Sequence, residues 1–325
     1  MDFTECMKDA LAKYPFRKPV GELIRHNENV TYKVIEEASG ETYLLRLHKP
    51  IASSMAGVQN SIKAVQSELD FLMAWSAHSA LPVQTPVPNR QGSLVTTVDC
   101  QHEEVACSIL RWIDGEIVSK QDFNNEESAR TLGILIADLH RFSQRYKPES
   151  DMVRQSYGME WTNSLLTKMR DGHERGILTA EEFRSIELTL FMIMDRMNGW
   201  EKKQDSWGFI HADLNYSNLI SSSKGISFID FGLSGHGYYA MDVAMGALLV
   251  PGAYRDALLS GYTSLHGKSI DHIQLEAFMF LAIMGYYAFV LDQPDKHSWI
   301  RSHITGHIEH FCKPMLNHDR VFNTI

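Results

Sequence analysis

The stretch GFIHADLNYSNLISSSKGISFIDFGLSG, residues 208–235, constrains this chain more than any other. Two short apolar segments, GFI before His211 and ISFI before Asp230, break a second half whose period is otherwise helical. Each leads within three residues into a carboxylate. The pattern His211-x-Asp213-x-x-x-x-Asn218, then a further apolar strand, then Asp230-Phe231-Gly232 predicts a strand-turn-strand insert that presents polar side chains from its ends.

A single short loop that carries both a carboxylate and an amide serves a phosphate well. Asp213 is placed to accept or orient the proton of an acceptor hydroxyl, and Asn218, five residues on, reaches back to a Mg²⁺. Asp230 supplies the second hard-oxygen ligand, and magnesium asks for little more than this plus phosphate oxygens. Taken alone, an Asp before a polar turn is usually a cap, and a lone Asn a turn residue. Their order and combination are what phosphoryl transfer uses.

Upstream, residues 20–113 read as strands: VTYKVIEE, TYLLRLH, SLVTTV and EVACSILRWI. One helix interrupts them, from about Met55 to Ala77, with Val65, Leu69, Leu72 and Met73 at helical spacing. Arg46 projects from the third strand, and its planar fork suits two-point contact with phosphate. Glu68 falls within the apolar stripe of the helix, where a carboxylate needs a partner, and an Arg46–Glu68 ion pair satisfies both. After Asp114-Gly115 helices dominate. The expectation is an α+β chain with an antiparallel sheet lobe and one helix over residues 1–113, a hinge near Arg111–Gly115, and a larger helical lobe over 114–325. A ligand cleft between the lobes is expected.

Composition excludes other classes. At 44% hydrophobic and 22% charged, the chain is neither disordered nor collagen-like. A net charge of −9 without a basic block argues against nucleic acid and anionic membranes as partners. Cys6, Cys100, Cys107 and Cys312 show no metal spacing and no disulfide framework, which fits a reducing, cytoplasmic setting. The N-terminus lacks the apolar block of a secretory signal. The uncharged run Ala277–Leu291 spans about 23 Å as a helix, short of a bilayer core, and reads as a buried core helix.

The sequence resembles the aminoglycoside phosphotransferase and choline kinase superfamily over about residues 20–310. The resemblance rests on YLLRLH, QSELDFLMAW, LRWIDGE, LGILIADLH, HADLNYSNL, SFIDFG, MDVAM with Asp242, and LLSGY. It implies a bilobal, protein-kinase-like fold and transfer of the γ-phosphate of ATP or GTP, with Mg²⁺, to a small-molecule hydroxyl. By the same resemblance Asp213 is the catalytic base, Asn218 and Asp230 bind Mg²⁺, Arg46 and Glu68 form the phosphate clamp, and the backbone of Arg111, Trp112 and Ile113 holds adenine. His211 is expected to pack beneath Asp230, Asp242 to hold the backbone of the catalytic loop, and His140 to be a hydrogen-bonded core histidine. Three departures stand out. GELIRHNENVTYKV has only Gly21, so phosphate cover falls to amides such as those of Asn27 or Asn29; Ala212 replaces the arginine of protein kinases, which removes the partner of an activation-loop phosphate; and Arg46 replaces their lysine. Tyr287 and Asp292, among the aromatics of the C-terminal helices, suit an amine-bearing acceptor. An antibiotic is the first expectation for that acceptor and homoserine the next; a protein Ser/Thr kinase and a non-catalytic nucleotide-binding module are the alternatives. Oligomeric state is not encoded in any motif.

Overall fold

The strand ETYLLRLH offers no polar face to water, and the fold covers it on both sides. In the computed structural model, which describes residues 3–26, 29–49, 59–100 and 102–324, a helix α1 (Thr4–Ala12) precedes five antiparallel strands: β1 (Pro19–His26), β2 (Asn29–Glu36), β3 (Glu41–His48), β4 (Thr96–Cys100) and β5 (Glu103–Arg111). Their order, β1-β2-β3-β5-β4, makes β3 the central strand. Alternate side chains then meet different partners. Tyr43, Leu45 and Leu47 join Val30, Tyr32, Val34, Val105, Cys107 and Ile109 in a core closed by Phe3, Met7, Leu11 and Tyr14 from α1 and its flanks. Leu44, Arg46 and His48 point the other way and are equally buried.

Helix α2 (Ile62–Ser76) lies on that second face, where Glu68 meets Arg46. Ser61 starts it, its hydroxyl accepting the Ala64 amide at 3.3 Å, so the helix begins later than the apolar periodicity suggested. Of the expected helical span, residues 55–58 lie outside the described residues, and so does Asn27. The N-terminal helix α1 has no counterpart in the sequence reading. It is joined to the sheet by a disulfide between Cys6 and Cys100, 94 residues apart with Cα atoms at 5.5 Å, while Cys107 and Cys312 are free and buried. One bridge is not a disulfide framework, but with it a reducing setting no longer follows from the cysteines.

The remaining elements are β6 (Glu116–Ile117), α3 (Glu126–Arg145), β7 (Gln155–Tyr157), α4 (Met159–Glu174), α5 (Ala180–Met197) and β8 (Trp207–Ile210). The hairpin β9 (Leu219–Ser222) and β10 (Gly225–Phe228) follows, then β11 (Gly235–Tyr238), α6 (Tyr239–Leu249), α7 (Arg255–His266), α8 (His272–Val290), α9 (His297–His307) and α10 (Lys313–Leu316). The chain divides into two compact units. One holds the residues up to Val118 with Tyr146–Gln155 and Ser217–Ser234; the other holds Ser119–Arg145, Ser156–Tyr216 and the chain from Gly235 onward. The hairpin β9–β10 therefore packs with the five-stranded sheet's unit, pairing with β6 through Ile117 and Ile220.

Among the described residues α8 is the one helix long and apolar enough to cross a membrane, and 61% of that stretch is buried within the protein, as a core helix requires. In the same unit, α3 and α7 cross at two glycines. A Cβ on Gly133 would stand 2.0 Å from the Leu258 carbonyl, and one on Gly261 2.1 Å from that of Arg130. Alanine normally favours a helix over glycine by about 1 kcal/mol. Here the backbones would have to part, an overpacking cost of about 1–3 kcal/mol. Gly133→Ala and Gly261→Ala are expected to lower the urea midpoint; a midpoint raised as propensity alone predicts would contradict the crossing.

Candidate active site

The hairpin brings two of the predicted residues to one end. Leu219 pairs with Phe228 as the last rung of β9–β10, and beyond it the Ile229 amide donates to the Asn218 carbonyl at 2.9 Å. Asn218, buried, and Asp230 thus flank the same mouth. Asp230 adopts a left-handed backbone, φ 60°, and its amide donates to Gln84 Oε1 at 3.0 Å. Its carboxylate is 45% exposed and accepts from the Gly232 amide at 3.4 Å. For a residue other than glycine such a conformation costs about 1 kcal/mol or more and persists only where neighbours over-determine it.

Arg46 approaches this mouth from β3. Its Nη1 donates to Glu68 Oε1 at 2.8 Å, with both side chains at most 4% exposed, and its Nη2 lies 3.5 Å from Asp230 Oδ1. Burial alone would push the guanidinium pKa down, but the carboxylates of Asp230 and Glu68 hold it above its ordinary value. Among the described residues the buried Nη2 finds no hydrogen-bond partner. An orphaned guanidinium donor beside a carboxylate is chemically suited to a phosphate oxygen. Arg111 and Trp112 spend their amides on the carbonyls of Thr85 and Thr42, at 2.8 and 3.1 Å. The Lys33 ammonium sits 5.0 Å above the Trp112 ring. Asn29 accepts from the Asn60 side chain at 3.0 Å.

Asp213 belongs to the other unit, where its loop is held from below. Asp242, in the first turn of α6 and fully buried, accepts the His211 amide on Oδ2 and the Ala212 amide on Oδ1, both at 2.8 Å. Ala212 takes φ 61°, so this pair of bonds secures a strained residue next to Asp213. The His211 ring, with no exposed surface, accepts the Asp213 amide on Nδ1 at 3.3 Å, and Asn215 donates to Asp213 Oδ1 at 3.1 Å. His140 closes the arrangement, with Nε2 3.1 Å from Asp242 Oδ2 and Nδ1 3.0 Å from the Tyr262 hydroxyl. Burial pushes the Asp242 carboxyl up; the His140 hydrogen bond, the charges of His140 and His211 and the His211 amide outweigh it and hold the carboxyl below its usual range.

Tyr287 and Asp292 are placed differently from an open amine site. Tyr287 is buried, its hydroxyl 2.9 Å from His307 Nδ1, and Asp292 accepts from Lys168 at 2.7 Å and Arg175 at 2.9 Å. An amine would have to displace a cation already there. Among the described residues no group of three or more His, Cys, Asp or Glu forms a metal centre. Residues whose roles the sequence reading passed over are His48, which closes the YLLRLH strand, and Gln84 and Arg154, which lie in no recognisable motif.

A model of the phosphotransferase enzyme family matches residues 21–275. The chain belongs to that family. It is 22% identical over 245 residues to amicoumacin kinase of Bacillus subtilis (strain 168), a match that covers 74% of this chain and 66%, just under two thirds, of that relative. Among solved structures it is similar to a microcompartment-associated aminopropanol kinase, with a TM-score of 0.81, 23% identity and coverage of 98% and 99% of the two chains. It also resembles the amicoumacin kinase hAmiN in complex with AMP-PNP, Ca²⁺ and Ami, with a TM-score of 0.75, 16% identity and coverage of 99% and 95%. The choline kinase of Cryptosporidium parvum Iowa II shares the fold, with a TM-score of 0.69, 13% identity and coverage of 98% and 97%. These likenesses establish a protein-kinase-like fold for this member of the phosphotransferase family.

His48, two residues after Arg46, gives this region a pH dependence. Burial, then the positive charges of Arg46 and Arg154, push its imidazole down to about 3, and Nε2 lies 2.9 Å from Ser108 Oγ. In the unfolded chain a histidine titrates near pH 6.5. Between these values the unfolded state binds more protons, so stability rises with pH and is lost as pH falls below about 6.5. At pH 5 this one residue is expected to cost about 2 kcal/mol. Denaturant titrations at pH 7.5 and pH 5 should show that loss, and His48→Gln should reduce the difference; an unchanged pH slope would contradict the assignment.

Proposed function

We propose that this chain is a small-molecule O-kinase: it moves the γ-phosphoryl group of ATP or GTP to a hydroxyl of an amine-bearing acceptor. The observation that carries the reading is the hairpin mouth, where Asn218 and Asp230 stand on backbone joined by the Ile229–Asn218 hydrogen bond and the unpartnered Nη2 of Arg46 lies 3.5 Å from Asp230. Asn218 and Asp230 are the residues that would hold Mg²⁺, which when bound neutralises charge on the phosphates. Arg46, fixed by Glu68, offers its free donor to a phosphate oxygen. Asp213 accepts the proton of the acceptor hydroxyl, and the Asp242 bonds to His211 and Ala212 keep that carboxylate's loop in place. The Ile113 amide is the donor for the adenine edge. A nucleotide co-substrate fits a cytoplasmic enzyme.

An amine on the acceptor is supported by the net charge of −9 and by the aminopropanol and amicoumacin kinases among the similar proteins. These two relatives divide the reading between an antibiotic and a small amino alcohol. Release of ADP from ATP or GDP from GTP with Mg²⁺, over aminopropanol, ethanolamine, choline, homoserine, aminoglycosides and amicoumacin-type antibiotics, separates them. Asp213→Asn is expected to lower kcat by roughly 10²–10⁴ while nucleotide affinity is kept. Undiminished turnover in that variant would remove Asp213 from the role of base.

A further inference from the structure

We propose that Arg154, in the segment between α3 and β7, is a positioning residue that locks the Asp230 turn to helix α2 and thereby sets the metal-dependent affinity for nucleotide. The inference rests on the kinase reading above and adds a residue to it. The Arg154 side chain has no exposed surface, and its donors fan out to two separate parts of the chain. Nε donates to the Ser234 carbonyl at 2.7 Å, and Nη2 to the carbonyls of Gly232 and Phe231 at 2.7 and 2.9 Å and to Ser234 Oγ at 3.1 Å. Nη1 turns towards α2, to the Ala64 carbonyl at 3.3 Å, the Gln59 carbonyl at 3.5 Å and Glu68 Oε2 at 3.6 Å.

A buried guanidinium is costly unless its five N–H groups and its charge are answered, and here they are answered by the turn that follows Asp230 and by the helix that carries Glu68. Glu68 is consequently held from both sides, Oε1 by Arg46 and Oε2 by Arg154. The circuit closes on itself: Asp230 faces Arg46, Arg46 binds Glu68, Glu68 faces Arg154, and Arg154 binds Phe231, Gly232 and Ser234, which follow Asp230. Two arginines oppose two carboxylates. The segment bearing Arg154 is itself tied to α2, since the Val153 amide donates to Ser67 Oγ at 3.0 Å. The left-handed Asp230 needs this kind of outside support. A lysine at 154 has one point charge on a flexible stem and cannot serve both sides at once.

The test compares the full-length protein with Arg154→Lys, Arg154→Gln and the milder Ser67→Ala. ATP affinity is measured by calorimetry with Mg²⁺ and with EDTA, and amide hydrogen exchange at Gly232 and Ser234 is measured without nucleotide. The Arg154 variants are expected to lose roughly 10–100-fold in Mg²⁺-dependent affinity, the range typical for residues that orient metal ligands, with little change in EDTA. Exchange at Gly232 and Ser234 should speed up, and Ser67→Ala should move both readouts in the same direction by less. A lowered melting temperature with equal losses in Mg²⁺ and EDTA and unchanged exchange would make Arg154 a structural filler and overturn the proposal. Wild-type protein that binds no nucleotide would instead overturn the kinase reading, while the exchange data still decide the lock.

Discussion

A guanidinium buried under a β-sheet has to be paired, and pairing Arg46 dictates much of the unit around it. Removing one partner of such a pair costs about 3–5 kcal/mol, so Arg46 and Glu68 fix the rotation of α2 about its own axis. That rotation turns Val65, Leu69 and Leu72 inward beside Glu68, all of them buried. The alternation of β3 then leaves Tyr43, Leu45 and Leu47 facing away, and these need a second cover, which α1 supplies. One buried charge on a central strand thus requires helices on both faces of the sheet.

The helical unit solves a different problem with the same device. The loop carrying Asp213 contains a non-glycine residue at φ 61°, and Asp242 secures it with two amide hydrogen bonds. Burial pushes the Asp242 carboxyl up, and the hydrogen bond from His140 is the largest of the contributions that hold it below its usual range. His140 is in turn positioned by Tyr262, which lies on α7 one residue after Gly261. The close glycine crossing of α3 and α7 therefore acts at a distance on the backbone beside Asp213: the helix approach sets His140 and Tyr262, and they set Asp242.

The sequence made the site legible where chemistry needs residues close together along the chain. Asp213, Asn218 and Asp230 sit within 18 residues, and their order is the signal. Glu68 could be read because a carboxylate in an apolar helical stripe is an anomaly. An antiparallel sheet interrupted by one helix followed from alternation and period, and the structure supplies its count of five strands. Helix α1 did not, because TECMKDALA is nine residues of mixed polarity whose helical state depends on packing against the sheet. Arg154 was equally hidden. It stands in VRQSY, a stretch without period, and everything that gives it meaning is supplied by residues 59–68 and 231–234. Cys6 and Cys100, 94 residues apart, likewise pair only through the tertiary fold.

The six residues from Asp213 to Asn218 carry the remaining constraint. In the proposed reading the segment's two ends are a general base and a metal ligand, and an error of about 1 Å in such a group can cost on the order of 10² in rate. The chain meets this by pinning each end of the segment separately. At the first end, Asp242 holds the amides of His211 and Ala212; at the second, Ile229 holds the carbonyl of Asn218. Between them the Tyr216 hydroxyl donates to the Leu249 carbonyl at 2.6 Å. The bonds that hold this segment's ends act through backbone groups, while the Asp213 carboxylate itself accepts from Asn215 at 3.1 Å.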